Sequence, residues 1–367
     1  MREELQPLEK PIRLLTIAIP TFNRANYLRG LLDSLFDQLV AETRVELIVS
    51  DNASPDETQS VVEGFMERGL AIRYIRNETN IGPDSNFQQC FEQAKGTYVW
   101  VFGDDDIIPS GGIAKILSYL SSDDYGVVYV SPYEFIHDHV AERIKDRFNR
   151  SVEILGSGLD MVRRAGAMLT FISAIIVNKD RYLRTVHQPL SSYVGTNLIQ
   201  LGWVCPLLAS ESKHLYIWEK IVAGRGGNCA GWGPCQIFGI NLKKIADESF
   251  HERPKLASEL TNMVLQRWFP STIMDSRRGT KNALLQENIK ELLAPVYKDN
   301  WRYWIYVYPL ISLPLVLARC WNFMLKYLNR LSRLDEICVE FFSFLLKKSG
   351  FSARVDHKPA LDGNGRI

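Results

Sequence analysis

Asp104, Asp105 and Asp106 stand together in the stretch Thr97–Pro109, which reads T-Y-V-W-V-F-G-D-D-D-I-I-P. Three adjacent anions repel one another. A hard divalent ion that takes oxygen ligands is the simplest partner to offset that repulsion. Tyr98 to Phe102 is a continuous apolar and aromatic run, the pattern of a fully buried strand. Ligands of open α/β sheets sit beyond the carboxyl ends of the strands. A buried strand that ends in Gly103 and three carboxylates is therefore a candidate metal site. The alternative is a solvated acidic turn ahead of the next helix, because short motifs also match by chance.

The elements that must position this turn alternate. Leu14 to Ile19 is an apolar strand that Pro20 is expected to break, and Ala25–Leu39 has leucines at helical spacing. Val45–Val49 is a second strand, ending in Ser50-Asp51-Asn52. Ser54-Pro55-Asp56-Glu57 has the order of a capping box with proline at the first helical position. Val61, Val62, Phe65 and Met66 are the expected inner face of that helix, and Gly69 its end. Ile72–Ile75 is a strand, Asn86–Ala94 a helix, Gly111–Leu120 a helix and Val127–Val130 a strand. Such alternation argues a mainly parallel sheet with helices on both faces.

No G-x-G-x-x-G follows the first strand and no Walker lysine is present, which disfavours dinucleotide oxidoreductases and P-loop enzymes. What does stand at the strand ends is Pro20-Thr21-Phe22-Asn23-Arg24, then Val49-Ser50-Asp51-Asn52-Ala53-Ser54, then Asn80-Ile81-Gly82, then Gly103-Asp104-Asp105-Asp106. Over residues 13–120 this order and spacing resembles the nucleotide-sugar domain of the family 2 glycosyltransferases, which have the Rossmann-like GT-A fold. The resemblance implies that Pro20, Thr21, Phe22 and Arg24 lie against the nucleotide, that Asp51 accepts hydrogen bonds from the base, and that Asn80 and Gly82 shape the adjoining wall. It also implies that Asp104 and Asp105, with Asp106 beside them, match the D-x-D element that holds Mg2+ or Mn2+ on the donor diphosphate. Alone, each residue has a plainer role: Asp51 capping a turn, Arg24 a surface cation, Asn80 and Gly82 serving a turn. Together in register they favour the donor site.

The second half says less. Phe135-Ile136-His137-Asp138-His139 is a metal-like cluster that more often is simply exposed. Phe171–Val177 is strand-like, and Ser191–Leu201 is a candidate helix carrying Asn197 and Gln200. In the resembled family an acidic pair at the start of such a helix supplies the general base. This chain has Val194-Gly195-Thr196-Asn197 there, which leaves Glu211, Asp180 and His187 as weak candidates, since geometry decides a general base. Gly224-Arg225-Gly226-Gly227-Asn228 and Gly231-Trp232-Gly233 are glycine-dense. They read either as a lid that brings Arg225 to the diphosphate or as a surface connection. Helices are expected to start at Asn241 and to cover Ala257–Phe269 and Asn282–Leu293.

Lys+Arg 43 against Asp+Glu 42 offers no basic excess for a nucleic acid. The six cysteines are scattered without a C-x-x-C pair, and Met1–Lys10 lacks the apolar core of a signal peptide. Trp301, Tyr303, Trp304, Tyr306 and Tyr308 crowd one stretch, the run to Ala318 has no charge after Tyr303, and Arg319, Lys326, Arg330 and Arg333 follow. Aromatics beside cations at the edge of an apolar run mark an interfacial segment; a buried helical hairpin is the alternative.

The expected layout is a donor half over 1–130, an acceptor half over 131–245, a helical subdomain over 246–300, an amphipathic segment over 301–348 and a disordered tail over 349–367. The expected function is metal-dependent, inverting transfer of a sugar from a nucleoside-diphosphate sugar to a lipid-linked oligosaccharide in bacterial surface polysaccharide synthesis. The expected place is the cytoplasmic face of the inner membrane, with peripheral association. The layout is similar to the abequosyltransferase-like O-antigen transferases. The rival readings are a nucleotidyltransferase, and a nucleotide-sugar-binding membrane protein without turnover.

Overall fold

A computed structural model describes residues 13–144, 151–227, 233–279 and 287–327. The first strand, β1 (Leu15–Thr21), is buried at every position. It pairs in parallel with β2 (Val45–Asp51) and β4 (Tyr98–Val101), and β2 pairs in parallel with β3 (Ile72–Arg76). Pro20 does not break β1. Ala18 O accepts Phe102 N–H on the β4 side and Thr21 O accepts Asn52 N–H on the β2 side. By alternation Pro20 faces β4, where pairing has already ended at Ala18 and Val101, so the absent N–H costs no ladder bond.

The crossovers are α1 (Ala25–Leu39), α2 (Thr58–Glu67) and α3 (Pro83–Gln93), and α4 (Gly112–Ser122) comes after β4. The capping box at Ser54–Glu57 does not form. Ser54 Oγ accepts the Asn23 N–H, and Asp56 accepts from Ala25 N–H as well as from Thr58. Both side chains tie the β1–α1 turn to the β2–α2 turn, and α2 begins later, at Thr58. Met66, an expected inner-face residue, is exposed.

The second half adds β5 (Val127–Phe135), β6 (Val152–Leu155), α5 (Gly158–Ala165), β7 (Ile175–Asn178), α6 (Lys179–Tyr182), α7 (Leu201–Ser210) and β8 (His214–Arg225). One eight-stranded sheet results, in the order β3-β2-β1-β4-β7-β5-β8-β6. β7 runs antiparallel to β4 and β5, and β6 antiparallel to β8; the remaining strands share one direction. The sheet is continuous across residue 130, because β5 spans that position. Of the strand expected over Phe171–Val177, the first part is a tight 3-10 turn, Ile172–Ala174. Ser191–Leu201 is not a helix. A 3-10 turn at Leu190–Tyr193 is followed by Gly195 and Asn197 at positive φ, and α7 starts at Leu201.

Helices α8 (Leu242–Ser249), α9 (Pro254–Met263), α10 (Phe269–Ser276) and α11 (Ile289–Tyr297) complete this half. α9 and α10 join through a π-helical turn, Val264–Trp268. Pro270 lies just beyond it and lacks the N–H that a regular helix would use, the common cause of such widening. α9 packs on α5. The expected helix start at Asn282 falls outside the described residues.

The chain divides into two compact units, Met1–Tyr308 and Pro309–Ile367. The described part of the second holds a helix over 315–327 that exposes Val316, Leu317, Phe323, Met324 and Tyr327. Among the described residues no helix is long and apolar enough to cross a membrane. Arg330, Arg333 and the tail over 349–367 lie outside the described residues.

Two positions test the packing. Gly96 passes so close to β1 that an added Cβ would lie 2.6 Å from Thr16 N and 2.7 Å from Leu15 C. Gly96→Ala should cost about 1–3 kcal/mol in urea denaturation, and an unchanged midpoint would refute the close approach. His214 opens β8, where Nδ1 accepts the Val127 N–H and Nε2 donates to Glu211 O. Burial pushes its pKa down to about 4, below the ordinary value of about 6.5. The unfolded chain therefore takes up the proton first, so stability is full above pH ~6.5 and falls as pH drops toward 4. His214→Gln should flatten that slope in denaturation midpoints measured across the window.

Candidate active site

The strand ends of β1, β4 and β8 meet at the acidic turn. Thr21, the last residue of β1, donates its hydroxyl to Asp104 Oδ2 at 2.7 Å. Arg24 sits just ahead of α1, with Nε 3.0 Å from Asp104 Oδ1 and Nη2 2.6 Å from Asp105 Oδ2. Asn23 takes the left-handed conformation between them, φ 55°, which asparagine tolerates better than most residues.

From the other side, Arg225 closes β8. Its backbone N–H donates to Asp106 Oδ1 at 2.9 Å and its Nε to Asp105 O at 3.2 Å. Gly224 and Arg225 are thus strand residues rather than part of a loose lid; Asn228, Gly231 and Trp232 lie outside the described residues. Both guanidiniums also lie over one ring. Arg24 Cζ is 4.8 Å and Arg225 Cζ 5.2 Å from the Tyr27 centroid, and Arg225 is 4.5 Å from Phe135. Ser173 holds the turn from beneath, accepting the Gly103 N–H at 2.9 Å.

Asp104 and Asp106 are almost fully buried. Burial pushes each carboxyl up to about 7. For Asp104 the opposing pull comes from Arg24 and Thr21; for Asp106, Asp105 adds to the rise and Ser173 and the Arg225 N–H oppose it. Burial thus outweighs what Arg24 and Thr21 give Asp104 and what Ser173 and the Arg225 N–H give Asp106.

The three carboxylates do not converge as one ligand set. Asp104 turns to β1 and Arg24, and Asp106 to β8, because successive residues of a turn point apart. Among the described residues no group of three His, Cys, Asp or Glu side chains is arranged to hold a metal ion. The donor chemistry of Asp104 and Asp105 nonetheless suits a hard cation: carboxylate oxygens, side by side.

The neighbouring wall comes from β2 and β3. Asp51 is fully buried; Oδ1 accepts the Ser54 N–H at 2.8 Å and Oδ2 accepts the Tyr74 hydroxyl at 2.6 Å. It holds the turn after β2. Asn80 Oδ1 accepts from Asn52 Nδ2 and from the Gly82 N–H, and Asn52 Oδ1 accepts from Asn77 and Ile81. Gly82 itself lies at φ 85°. Pro20 and Thr21 are buried at the end of β1, whereas Phe22 exposes about 40% of its surface beside them.

The candidate bases lie elsewhere. Asn178 pairs with Tyr98, so antiparallel β7 delivers the next residues of the chain to the amino end of β4, opposite the acidic turn. Asp180 is there on α6. His187 stacks on Tyr182 of the same helix and contacts its hydroxyl at 3.2 Å. Glu211 is paired to Arg181. Strand direction thus removes all three from the site. His137 is exposed, His139 is half-buried against Phe135, and neither joins a metal-binding group among the described residues.

Sequence reading missed Tyr27, Ser173 and Asp84. Tyr27 carries a signal, one helical turn after Arg24. Ser173 carries none. Asp84 comes directly after Gly82-Pro83 at the start of α3, and its Oδ2 accepts the Gly195 and Asn197 N–H groups at 2.8 and 2.9 Å.

Removing the Arg24 guanidinium strands Asp104. Arg24→Met should destabilise the protein by about 1–3 kcal/mol in chemical denaturation, and adding Asp104→Asn should restore part of the loss. Equal stability of Arg24→Met and wild type would refute the pairing.

The model of the family "Glycosyl transferase family 2" matches residues 16–185. Abequosyltransferase RfbV of Salmonella typhimurium is 26% identical over 291 residues, 75% of this chain and 80% of that protein. The GalNAc(5)-diNAcBac-PP-undecaprenol beta-1,3-glucosyltransferase of Campylobacter jejuni is 34% identical over 104 residues, 28% of this chain and about a third (33%) of the relative. The crystal structure of Staphylococcus aureus TarS 1–349 with UDP-GlcNAc superposes with TM-score 0.57 at 16% identity, covering 85% of this chain and 89% of that one, which shows a shared fold. The family match argues against a nucleotidyltransferase. Over residues 16–185 the chain carries a family 2 glycosyltransferase domain, and its sheet has the GT-A fold shared with TarS.

Proposed function

We propose that this glycosyltransferase takes a nucleoside-diphosphate sugar at the carboxyl ends of β1, β2 and β4 and transfers the sugar, with inversion, to a lipid-linked oligosaccharide of a bacterial surface polysaccharide. The observation that carries the reading is the meeting of Thr21, Arg24, Asp104–Asp106 and Arg225 at one point. Transfer breaks the bond from the anomeric carbon to the diphosphate, and negative charge grows on the leaving oxygen. Arg24 and Arg225 bring the fixed positive charge that favours such a leaving group. A divalent ion held by Asp104 and Asp105 would supply Lewis-acid stabilisation at the same place. Phe22 offers an exposed ring for the base, and Asp51, Asn80 and Gly82 brace the wall next to it.

The acceptor is suggested by the relatives. One is named an abequosyltransferase, and another is named for a PP-undecaprenol-linked chain. A lipid-linked acceptor places the enzyme at a membrane face. Trp301, Trp304 and Ile305 are exposed around the turn Tyr303–Val307. Arg302 lies 4.4 Å from the Trp301 ring and Lys290 5.7 Å from that of Tyr308. Aromatics with cations beside them suit an anionic lipid interface.

Donor binding is tested by thermal shift with a panel of nucleoside diphosphates, with and without Mn2+. One diphosphate should raise the midpoint and Mn2+ should enlarge the shift; no shift with any of them would sink the reading. Asp104→Asn with Asp105→Asn should lower transfer by about two orders of magnitude or more, whereas undiminished transfer in a chelator would remove the metal. Co-sedimentation with phosphatidylglycerol-containing vesicles should fall several-fold on Trp301→Ala with Trp304→Ala, and unchanged sedimentation would exclude this surface.

A further inference from the structure

The segment between β7 and α7 has no regular structure to hold it over 194–200, yet it takes two left-handed residues, Gly195 at φ 86° and Asn197 at φ 56°. The left-handed conformation is costly for a residue with a side chain. One carboxylate holds it. Asp84 is almost fully buried in the first turn of α3, and its Oδ2 accepts both the Gly195 and the Asn197 N–H. No cation pairs with it among the described residues. Its charge rests on those backbone donors and on the helix N-terminus, while burial pushes its pKa up.

The segment is tied at two further points. Asn241 Nδ2 donates to Thr196 O at 3.0 Å, and Gln200 Nε2 to Thr170 O at 2.6 Å. Thr170 leads into Phe171 and Ser173, and Ser173 supports the acidic turn. Asp84 is also two residues from Gly82, in the wall of the donor site. Val194 and Gly195 are exposed here, and Asn197 is half-buried. The side-chain amide of Asn197 has no hydrogen-bond partner among the described residues, although its own backbone is pinned. An amide carries both donors and an acceptor, the chemistry that reads a neutral sugar hydroxyl.

We propose that Asn197 contacts a sugar of the transferase reaction and that Asp84 is its positioning residue, acting through the backbone of 195–197. The inference rests on the glycosyltransferase reading for its substrate, but the link from Asp84 to the loop stands apart from it. Hydrogen exchange of the full-length protein reads that link without substrate. Asp84→Ala should speed exchange in the 195–199 peptide at least tenfold and leave 45–51 unchanged; equal protection in the variant would overturn the anchoring.

Kinetics read the sugar contact, with the nucleotide sugar whose diphosphate shifts the wild-type midpoint and a lipid-linked oligosaccharide extract as acceptor. Asn197→Ala and Asp84→Asn should each raise the KM for one sugar substrate about tenfold and change the Kd of the nucleoside diphosphate less than twofold. The double variant should match the worse single one, since both remove one interaction. Multiplying effects, an equal loss of diphosphate affinity, or wild-type KM in either variant would overturn the proposal. If no diphosphate binds wild type, the transferase reading fails and the sugar contact with it, while the exchange result still decides the anchoring.

Discussion

Asp104 and Asp106 are anions removed from water, and the site is built around their need for positive charge. A buried carboxylate without a partner either takes up a proton or destabilises the fold. Here burial pushes both carboxyls toward protonation, and the Arg24 charge opposes it at Asp104. The demand explains why three distant strand ends come together. Thr21 and Arg24 arrive from β1, the carboxylates from β4 and Arg225 from β8.

The sheet makes the meeting possible. Six strands run one way, and their carboxyl ends form one edge. Loops at that edge can be polar because the strands beneath them are buried and rigid. The two reversed strands have the opposite effect. β7 returns the chain to the far edge, where Glu211 pairs with Arg181 and its carbonyl accepts from the neutral His214. A titratable residue in this half is therefore placed by strand direction before its own chemistry matters.

Local signals failed where a longer-range bond competed for the same side chain. Ser54 and Asp56 have the right order for a helix cap, but each serves the turn after β1 instead. Ser191–Leu201 has helical composition, but Asp84 captures its backbone N–H groups and leaves a left-handed loop. In both cases a hydrogen bond between segments far apart in sequence replaced one within a segment, and propensity carries no trace of it.

Alternation of strands and helices, the buried strand before the acidic turn, and the ordered strand-end motifs were all legible in the residues themselves, because periodicity and turn chemistry are local properties. The residues at the site, Thr21, Arg24, Asp104–Asp106 and Arg225, were likewise visible as types in order. Only the tertiary structure decided which of them touch. It joined Arg225 to Asp106 across 119 positions, brought Tyr27 and Ser173 to the turn, and carried Asp180, His187 and Glu211 away from it. The physical reason is that strand order and direction are set by burial of the whole sheet, to which no single stretch of sequence holds the key.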